Sequence, residues 1–258
     1  MLKPKVCVLI TDGTNCDEEL AYAFEKFGGQ AISVHVNELR NKNKKFKDFQ
    51  ILALPGGFAY GDDVASGKIL AVELISFLKD QLTEYINKGG LIIGICNGFQ
   101  VLVRAGLLPF NSFGKMEATL AQNDSGHFEC LWVNVRTEKS RCLFLKPKTT
   151  LVQLAINHGE GRFYANPKTI ARVEHSELVV FRYTDKFGKP TQTYPANPNG
   201  SINAVAGICD LSGRILGLMP HPEKFVDLTQ HPNWRRQKFE KPHGSFVFEE
   251  ILEYVRGS

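Results

Sequence analysis

Cys96 has the setting of a catalytic thiol. It lies in the stretch GICNGFQ (94–100), between the apolar run LIIGI and a segment with the pattern of a helix. Catalytic side chains of open parallel sheets lie at the carboxyl ends of strands. The glycines of a G-x-C-x-G turn make room for a strained elbow that lifts the central side chain off the sheet. A core cysteine, a metal ligand or one half of a disulfide would also fit the residue type, so these alternatives stay open at this point.

A cysteine nucleophile needs a base, and His221 is the best candidate among the seven histidines. It ends the apolar run RILGLMP, and Glu223 follows two residues later, on the same side of an extended chain. A carboxylate at that position can hold the second ring nitrogen, fix the tautomer and make the imidazole more basic. His35 is predicted to lie in the middle of a strand and His175 in a polar loop, so neither is expected to act in catalysis.

Attack on a carbonyl carbon creates an oxyanion that needs N–H donors, and two turns could supply them. The N–H of Asn97, at the start of the predicted helix, is expected to point toward the sulfur. The second turn follows the apolar run ILAL, where Gly56 and Gly57 have no side chains to keep a substrate away from their N–H groups. An ordinary strand-to-helix turn is the alternative interpretation of this glycine pair.

These residues need a scaffold, and the first hundred residues alternate between strand and helix patterns. Apolar runs without polar alternation predict buried parallel strands, and the segments between them have the period of amphipathic helices. The predicted class is α/β, with a central, mainly parallel sheet and helices on both faces. The predicted strands are 5–10, 31–36, 49–55 and 91–96, and the predicted helices are 16–29 and 69–90.

The second half of the chain adds extra strands, and we predict that residues 1–258 form a single domain. Its strands are predicted at 116–123, 127–136, 150–159, 178–184, 204–210 and 214–221, with a closing helix at 244–255. Two segments, 166–177 and 189–201, are predicted to be long loops, the second because its Pro, Asn and Gly residues are typical of turns.

Composition excludes several classes of function. The net charge is only +4 and the basic residues are scattered, so nucleic-acid binding is not expected. The six cysteines include no CxxC pair and no zinc-ligand spacing, which predicts reduced thiols, no metal and a cytoplasmic location. No signal peptide is recognisable, and no apolar run approaches the ~18 residues of a membrane span, so no membrane contact is expected.

Three motifs in this order, PGG (55–57), GICNGFQ and MPHPE (219–223), resemble those of the class I glutamine amidotransferases, and the resemblance covers nearly the whole chain. A branch of that family that serves purine biosynthesis is similar in further stretches. These are PGGFAYGDD, GICNGFQVLVRAGLLP, NDSGHFEC, NHGEGRF, NPNGSINAVAGI and GLMPHPE. The tail 227–244 is longer than in the shortest members, and Lys224 stands where arginine is usual.

The resemblance implies a flavodoxin-like architecture and an amide hydrolase that converts L-glutamine and water to glutamate and ammonia. Cys96 would be the nucleophile that forms a thioester, His221 the base and Glu223 the carboxylate that orients it. The other residues that the resemblance places around the substrate are Gly57 and Asn97 in the oxyanion hole, and Gly56, Gln100 and His158 in the glutamine pocket.

The resemblance also implies a partner, because released ammonia must be used. That partner is a large ATP-dependent synthetase subunit that converts formylglycinamide ribonucleotide to formylglycinamidine ribonucleotide, with a small accessory subunit in many bacteria. The sequence contains no Walker A motif and no G-x-G-x-x-G, so we expect no cofactor on this chain and ATP with Mg²⁺ on the synthetase. The Lys-rich segment 40–49, the stretch 123–130 and the tail are candidate docking surfaces.

Two other classes of protein have to be weighed against this one. A stand-alone cysteine hydrolase of similar fold would be fully active without a partner, and a regulatory module would have lost its catalytic residues. The intact Cys96, His221 and Glu223 argue against the second class. Release of ammonia from free glutamine, measured with and without a synthetase subunit, would distinguish a stand-alone hydrolase from an amidotransferase subunit.

Overall fold

The computed structural model describes residues 3–146 and 150–257. The strands are β1 Lys5–Ile10, β2 Gln30–His35, β3 Ile51–Leu54, β4 Leu91–Ile95, β5 Thr119–Ala121, β6 Glu129–Thr137, β7 Leu151–His158, β8 Arg162–Tyr164, β9 Val179–Tyr183, β10 Val205–Cys209 and β11 Ile215–Leu218. The α-helices are α1 Asp17–Lys26, α2 Val36–Arg40, α3 Lys68–Ser76, α4 Lys79–Asn87, α5 Asn97–Arg104, α6 Pro167–His175 and α7 Ser245–Gly257.

Nine strands form one mixed sheet in the order β2-β1-β3-β4-β11-β10-β9-β6-β7. Neighbouring strands from β2 to β11 are parallel, and those from β11 to β7 are antiparallel. β5 and β8 pair separately as an antiparallel ribbon. The predicted α/β class is confirmed, and most of the extra strands of the second half extend the parallel sheet, whereas β5 and β8 form the separate ribbon.

Helices cover both faces of the parallel half. The crossover from β1 through α1 leads to β2 on one side, whereas the crossover from β3 through α3 and α4 leads to β4 on the other side. Right-handed crossovers in opposite directions place their helices on opposite faces. On one face, α1 packs against α7 through the rings of Phe24 and Phe248, whose centroids lie 5.1 Å apart. All five residues of β4 are buried, which explains why that run shows no polar alternation.

Two local predictions in the first half are wrong. The segment predicted as one helix, 69–90, is two helices that meet at Phe77 and Leu78. No Gly or Pro marks this break in the sequence. The change of direction lets α4 pack against the short 3₁₀ turn Phe46–Asp48. His35 does not lie in the middle of a strand. It is the last residue of β2 and caps α2, because its Nδ1 accepts a hydrogen bond from the N–H of Asn37.

The segment 166–177 is not the predicted loop, because it contains α6. Asn166 caps this helix with its side chain, and Pro167 occupies the first turn, the position where proline is tolerated best. Ile170 and Val173 are buried on the inner face. His175 therefore ends a helix rather than lying in a loop. The second predicted loop, 189–201, contains no helix and no strand. Among the described residues, no helix is both long and apolar enough to cross a membrane.

Candidate active site

The fold brings Cys96 and His221 to one edge of the sheet. Their strands, β4 and β11, are parallel neighbours with Ile95 opposite Leu218, so both strands end on the same side. The backbone N–H of Cys96 donates to the Leu218 carbonyl over 2.8 Å. The N–H of His221 donates to the carbonyl of Ala155 on β7, also over 2.8 Å.

Cys96 occupies a strained elbow, with φ 51° and ψ −105°. A positive φ is rare for a residue other than glycine and is found at sites where the surrounding structure enforces it. The flanking glycines allow this geometry. A Cβ on Gly94 would lie 2.6 Å from the Gly98 carbonyl oxygen, and a Cβ on Gly98 would lie 2.1 Å from the Leu54 oxygen. The elbow thus depends on two close backbone contacts that only glycine permits.

His221 and Glu223 form a buried pair behind the thiol. Both side chains are essentially inaccessible to solvent, and His221 Nδ1 makes a short hydrogen bond to Glu223 Oε1. Burial by itself favours the neutral ring, but the charges of Glu223 and Cys96 outweigh it and raise the pKa of His221. The pair therefore favours a protonated imidazole next to the sulfur.

The thiol lies at the N-terminal end of α5. Cys96 is the N-cap of α5, and its sulfur lies 3.6 Å from the carbonyl oxygen of Asn157, to which the protonated thiol donates. The backbone N–H groups of the first turn of a helix have no acceptor within the helix, and this positive end favours a nearby negative charge. The N–H of Asn97, the first residue of α5, belongs to this turn.

Gly56 and Gly57 end β3 beside the same site. A Cβ on Gly56 would lie 3.4 Å from Cys96 Cβ and 2.6 Å from His221 Cε1, so this glycine contacts both catalytic candidates. Gly57 has φ +119° and forms an isolated bridge with Thr14. In that bridge the N–H of Phe58 donates to the Gly13 carbonyl, which fixes the loop that follows Gly57.

A cavity of about 360 Å³ opens in front of Cys96, a size within the usual range of small-molecule pockets. Its lining residues include Gly57, Phe58, Asp62, Cys96, Gln100, Phe128, Asn157, His158 and Glu160. Sequence reasoning placed Gly57, Gln100 and His158 here. Asp62 and Glu160 belong to the stretches PGGFAYGDD and NHGEGRF that carry the family resemblance, but sequence reasoning assigned neither carboxylate a role of its own.

Gln100 links two segments that line this cavity through the hydrogen bonds of its side-chain amide. Its Nε2 donates to the Glu160 carbonyl over 2.6 Å, and its Oε1 accepts from Asn97 Nδ2 over 2.9 Å. Asn97 Nδ2 also donates to Asp62 Oδ1 over 3.0 Å. The amide of Gln100 is therefore engaged within the protein, and its predicted contact with glutamine stays a prediction.

His158 lies at the end of β7 with its ring buried. Burial, together with the charge of His221, lowers the pKa of His158 to about 3. Its Nδ1 faces Asn123 Oδ1 at 3.1 Å, and its Nε2 has no hydrogen-bond partner among the residues that the structure describes. His158 is therefore a neutral ring that lines the cavity.

Cys16 is a second buried thiol near the pair, and no sequence motif indicated it. Its Sγ, a ring nitrogen of His221 and an oxygen of Glu223 all lie within 4.8 Å of one another, a group that could hold a metal ion. Burial and the Glu223 carboxylate raise the pKa of Cys16 to about 12, so this thiol is protonated. Since His221 and Glu223 already bond to each other, we assign both to the arrangement around Cys96.

An activated thiol on an elbow, a base with its carboxylate, and bare backbone donors over a cavity can together form and hydrolyse an acyl thioester. Fold and site define the class as glutamine amidotransferases. A family model described as a CobB/CobQ-like glutamine amidotransferase domain matches residues 3–255.

Similar proteins narrow the class further. The phosphoribosylformylglycinamidine synthase subunit PurQ of Dehalococcoides mccartyi is 44% identical over 99% of both chains. The PurQ subunit of Methanococcus maripaludis is 42% identical over 97% of this chain and 93% of that protein. A chain of the solved structure of PurLQS from Thermotoga maritima is 30% identical with a TM-score of 0.75, covering 98% of this chain and all of that one. The chain belongs to the PurQ family.

Proposed function

We propose that this chain is the glutaminase subunit of a phosphoribosylformylglycinamidine synthase. It hydrolyses L-glutamine to glutamate and ammonia and delivers the ammonia to a synthetase subunit for purine biosynthesis. The observation that carries this proposal is the placement of Cys96, His221 and Glu223 in one buried arrangement. The chain has this arrangement in a fold that it shares over nearly its full length with PurQ subunits.

The first half of the reaction forms a thioester. With its proton on His221, the Cys96 sulfur attacks the side-chain carbonyl carbon of glutamine, and an S–C bond forms. The oxyanion that develops is stabilised by the N–H groups of Asn97 and Gly57. The C–N bond then breaks, and His221 gives its proton to the departing nitrogen, which leaves as ammonia. Glu223 keeps the imidazole oriented and stabilises its positive charge throughout.

The second half returns the enzyme to its starting state. His221, now neutral, takes a proton from a water molecule as this water attacks the thioester carbonyl. The S–C bond breaks, glutamate leaves, and the proton on His221 restores the ion pair with Cys96. The donors that hold the first oxyanion also hold the second, because both form at the same carbon atom.

The partner is proposed on the same basis. The Thermotoga maritima relative was solved as PurLQS. We expect this chain to bind a large synthetase subunit that carries ATP and Mg²⁺, and a small accessory subunit, and to carry no cofactor of its own. A cytoplasmic location is part of this proposal, since the substrates of the synthetase are phosphorylated metabolites.

Ammonia release from L-glutamine, measured with and without the synthetase subunit, tests this function. The expected result is slow release by the isolated chain and fast release by the complex. A pull-down from native cells should recover the synthetase. Full activity alone and no recovered partner would instead support a stand-alone cysteine hydrolase.

A further inference from the structure

Asn123, in the loop after β5, uses every hydrogen-bonding position of its buried side chain. Its Nδ2 donates to the carbonyls of His127 and His158 over 2.9 Å and 2.8 Å. Its Oδ1 accepts from the N–H of Gly161 over 3.0 Å and faces His158 Nδ1 at 3.1 Å. Carbonyls can only accept and a backbone N–H can only donate, so these contacts fix which amide atom is oxygen and which is nitrogen.

This network determines the tautomer of His158. The oxygen of Asn123 cannot donate, so the hydrogen between it and His158 must reside on Nδ1 of the imidazole. A neutral imidazole has one N–H, and Nε2 therefore presents a lone pair. Gly161 packs against the ring, since a Cβ there would lie 2.2 Å from His158 Cε1. A side chain at position 161 would therefore displace the ring from its hydrogen bond to Asn123.

An unpaired acceptor in a buried position is costly unless a ligand supplies a donor. Nε2 of His158 is buried and has no partner among residues 3–146 and 150–257, and His158 lines the cavity that contains Cys96. Glutamine brings two N–H groups to this cavity, its side-chain amide and its α-ammonium. Either one could donate to this unpaired lone pair.

We propose that Asn123 is a positioning residue that locks His158 in the neutral Nδ1–H form, so that Nε2 is a fixed acceptor for an N–H group of bound L-glutamine. This inference rests on the proposed glutaminase function. It adds a residue outside the three catalytic positions, and it assigns the binding contact to one atom of His158.

A neutral His158 also adds no second positive charge beside the imidazolium of His221. A positive charge on His158 would oppose the imidazolium of His221, and the charge of His221 contributes to the lowered pKa of His158. Titratable residues near His158 in the described part of the chain include Glu129, its register partner on β6, and Glu160, two residues along the chain. An amide at position 123 keeps His158 neutral, whereas a carboxylate there would favour its charged form.

Nitrogen NMR of a Cys96→Ala chain tests the tautomer without requiring activity. At pH 7 the expected pattern for His158 is a hydrogen on Nδ1 and none on Nε2. In the same background, Asn123→Asp should raise the pKa of the ring through its carboxylate, so that both nitrogens carry hydrogens up to a higher pH than in the parent chain. A hydrogen on Nε2 of the parent chain would overturn the proposal, whatever the enzyme's activity.

Kinetics of the complex test the role of the lone pair. For Asn123→Asp, KM for glutamine should rise at least ~10-fold at a pH where NMR shows His158 protonated, with a smaller rise at a higher pH where NMR shows it neutral. The matched control is Asn199→Ala. Asn199 is a buried asparagine that donates to the Gly161 carbonyl without touching His158, and its loss should change KM by the same factor at both pH values. A pH-independent rise for Asn123→Asp would show a structural role alone and refute the proposal.

Discussion

Gly56 lies directly against the imidazole of His221, because a Cβ at Gly56 would come within 2.6 Å of His221 Cε1. The same Cβ would lie 3.5 Å from the sulfur of Cys16. The ring of the base is thus confined by backbone on one side and by the Glu223 hydrogen bond on the other. Its position relative to Cys96 is fixed before a substrate binds.

The first prediction follows from this contact. Gly56→Ala should displace the His221 ring and lower kcat about 100-fold, the loss associated with misplacing a catalytic group by about 1 Å. Thermal stability should fall much less than activity. Gly257→Ala is the matched control, since a Cβ there meets no atom within 4 Å. An active Gly56→Ala enzyme would show that the imidazole has room to move.

Cys96→Ala and Cys96→Ser should abolish glutamine-dependent synthesis in the complex and leave synthesis from ammonium salts intact. Only the glutamine half of the reaction needs the thiol. A diazo-ketone analogue of glutamine should label Cys96 and spare Cys16, because burial raises the pKa of Cys16 to about 12 and a protonated thiol is a poor nucleophile. Mass spectrometry of the labelled peptides decides this. Glutamine use by either variant would rule out Cys96 as the nucleophile.

His221→Ala should lower kcat about 1000-fold and change KM for glutamine little, because the base acts in the chemical step. Glu223→Gln should be milder, since an amide oxygen still accepts the hydrogen bond. Loss of the carboxylate charge lowers the pKa of His221. The His221 imidazolium, which must protonate the departing ammonia, then loses its proton at a lower pH. The fall of kcat on the alkaline side of the pH profile should therefore move to lower pH. An unchanged limb would exclude Glu223 as the source of the raised pKa.

The stability of the chain should decrease on acidification, in part through His158. The pKa of His158 is about 3 in the folded protein and about 6.5 in an unfolded chain. Between these values the unfolded state binds a proton that the native state does not, so the free energy of unfolding falls as pH falls, by up to ~1.4 kcal/mol per pH unit. Denaturation at pH 4.5 to 6.5 should show a shallower slope for His158→Gln than for the control His175→Gln, which alters an exposed residue. Equal slopes would contradict a neutral buried ring.

The isolated chain should form its thioester slowly and gain at least ~100-fold in turnover when the synthetase and its nucleotides bind, since one missing oxyanion donor costs that much. Gly57 is where we place the defect, because glycine at φ +119° lets a peptide turn over at little cost. Gly57→Ala should abolish the gain, since a Cβ there would lie 2.7 Å from the Asn15 backbone nitrogen. The comparison is turnover at saturating glutamine, alone and in the complex. Equal rates would contradict the hypothesis that the synthetase activates this subunit by completing its oxyanion hole.

Local patterns in the sequence predicted the parts of the site that depend on neighbours in the chain. The Cys96 elbow was visible because an apolar run, two glycines and a helix pattern follow one another. The His221–Glu223 pair was visible because a spacing of two residues places both side chains on one side. The start of α6 also has a local signal in the sequence, namely Asn166 followed by Pro167.

Contacts between distant segments could not be predicted in this way. Cys16 lies at the N-cap of α1, and it comes near His221 only because β1 and β11 are brought into the same sheet. Asn123 holds His158 across 35 positions of sequence. The break between α3 and α4 depends on tertiary packing, which overrides local helix preference.

The pairing of β4 with β11 has a consequence for how the protein is made. Cys96 lies in the first half of the chain and His221 near its end, so a nascent chain still on the ribosome exposes the cysteine long before β11 has been synthesised. Until β11 docks beside β4, the thiol has no imidazole to take its proton and no fixed elbow to lift it. A free cysteine of ordinary pKa is mostly protonated at neutral pH. The sulfur of Cys96 therefore becomes reactive only when the sheet is complete. An incomplete chain reacts more slowly with the electrophiles that modify the folded site.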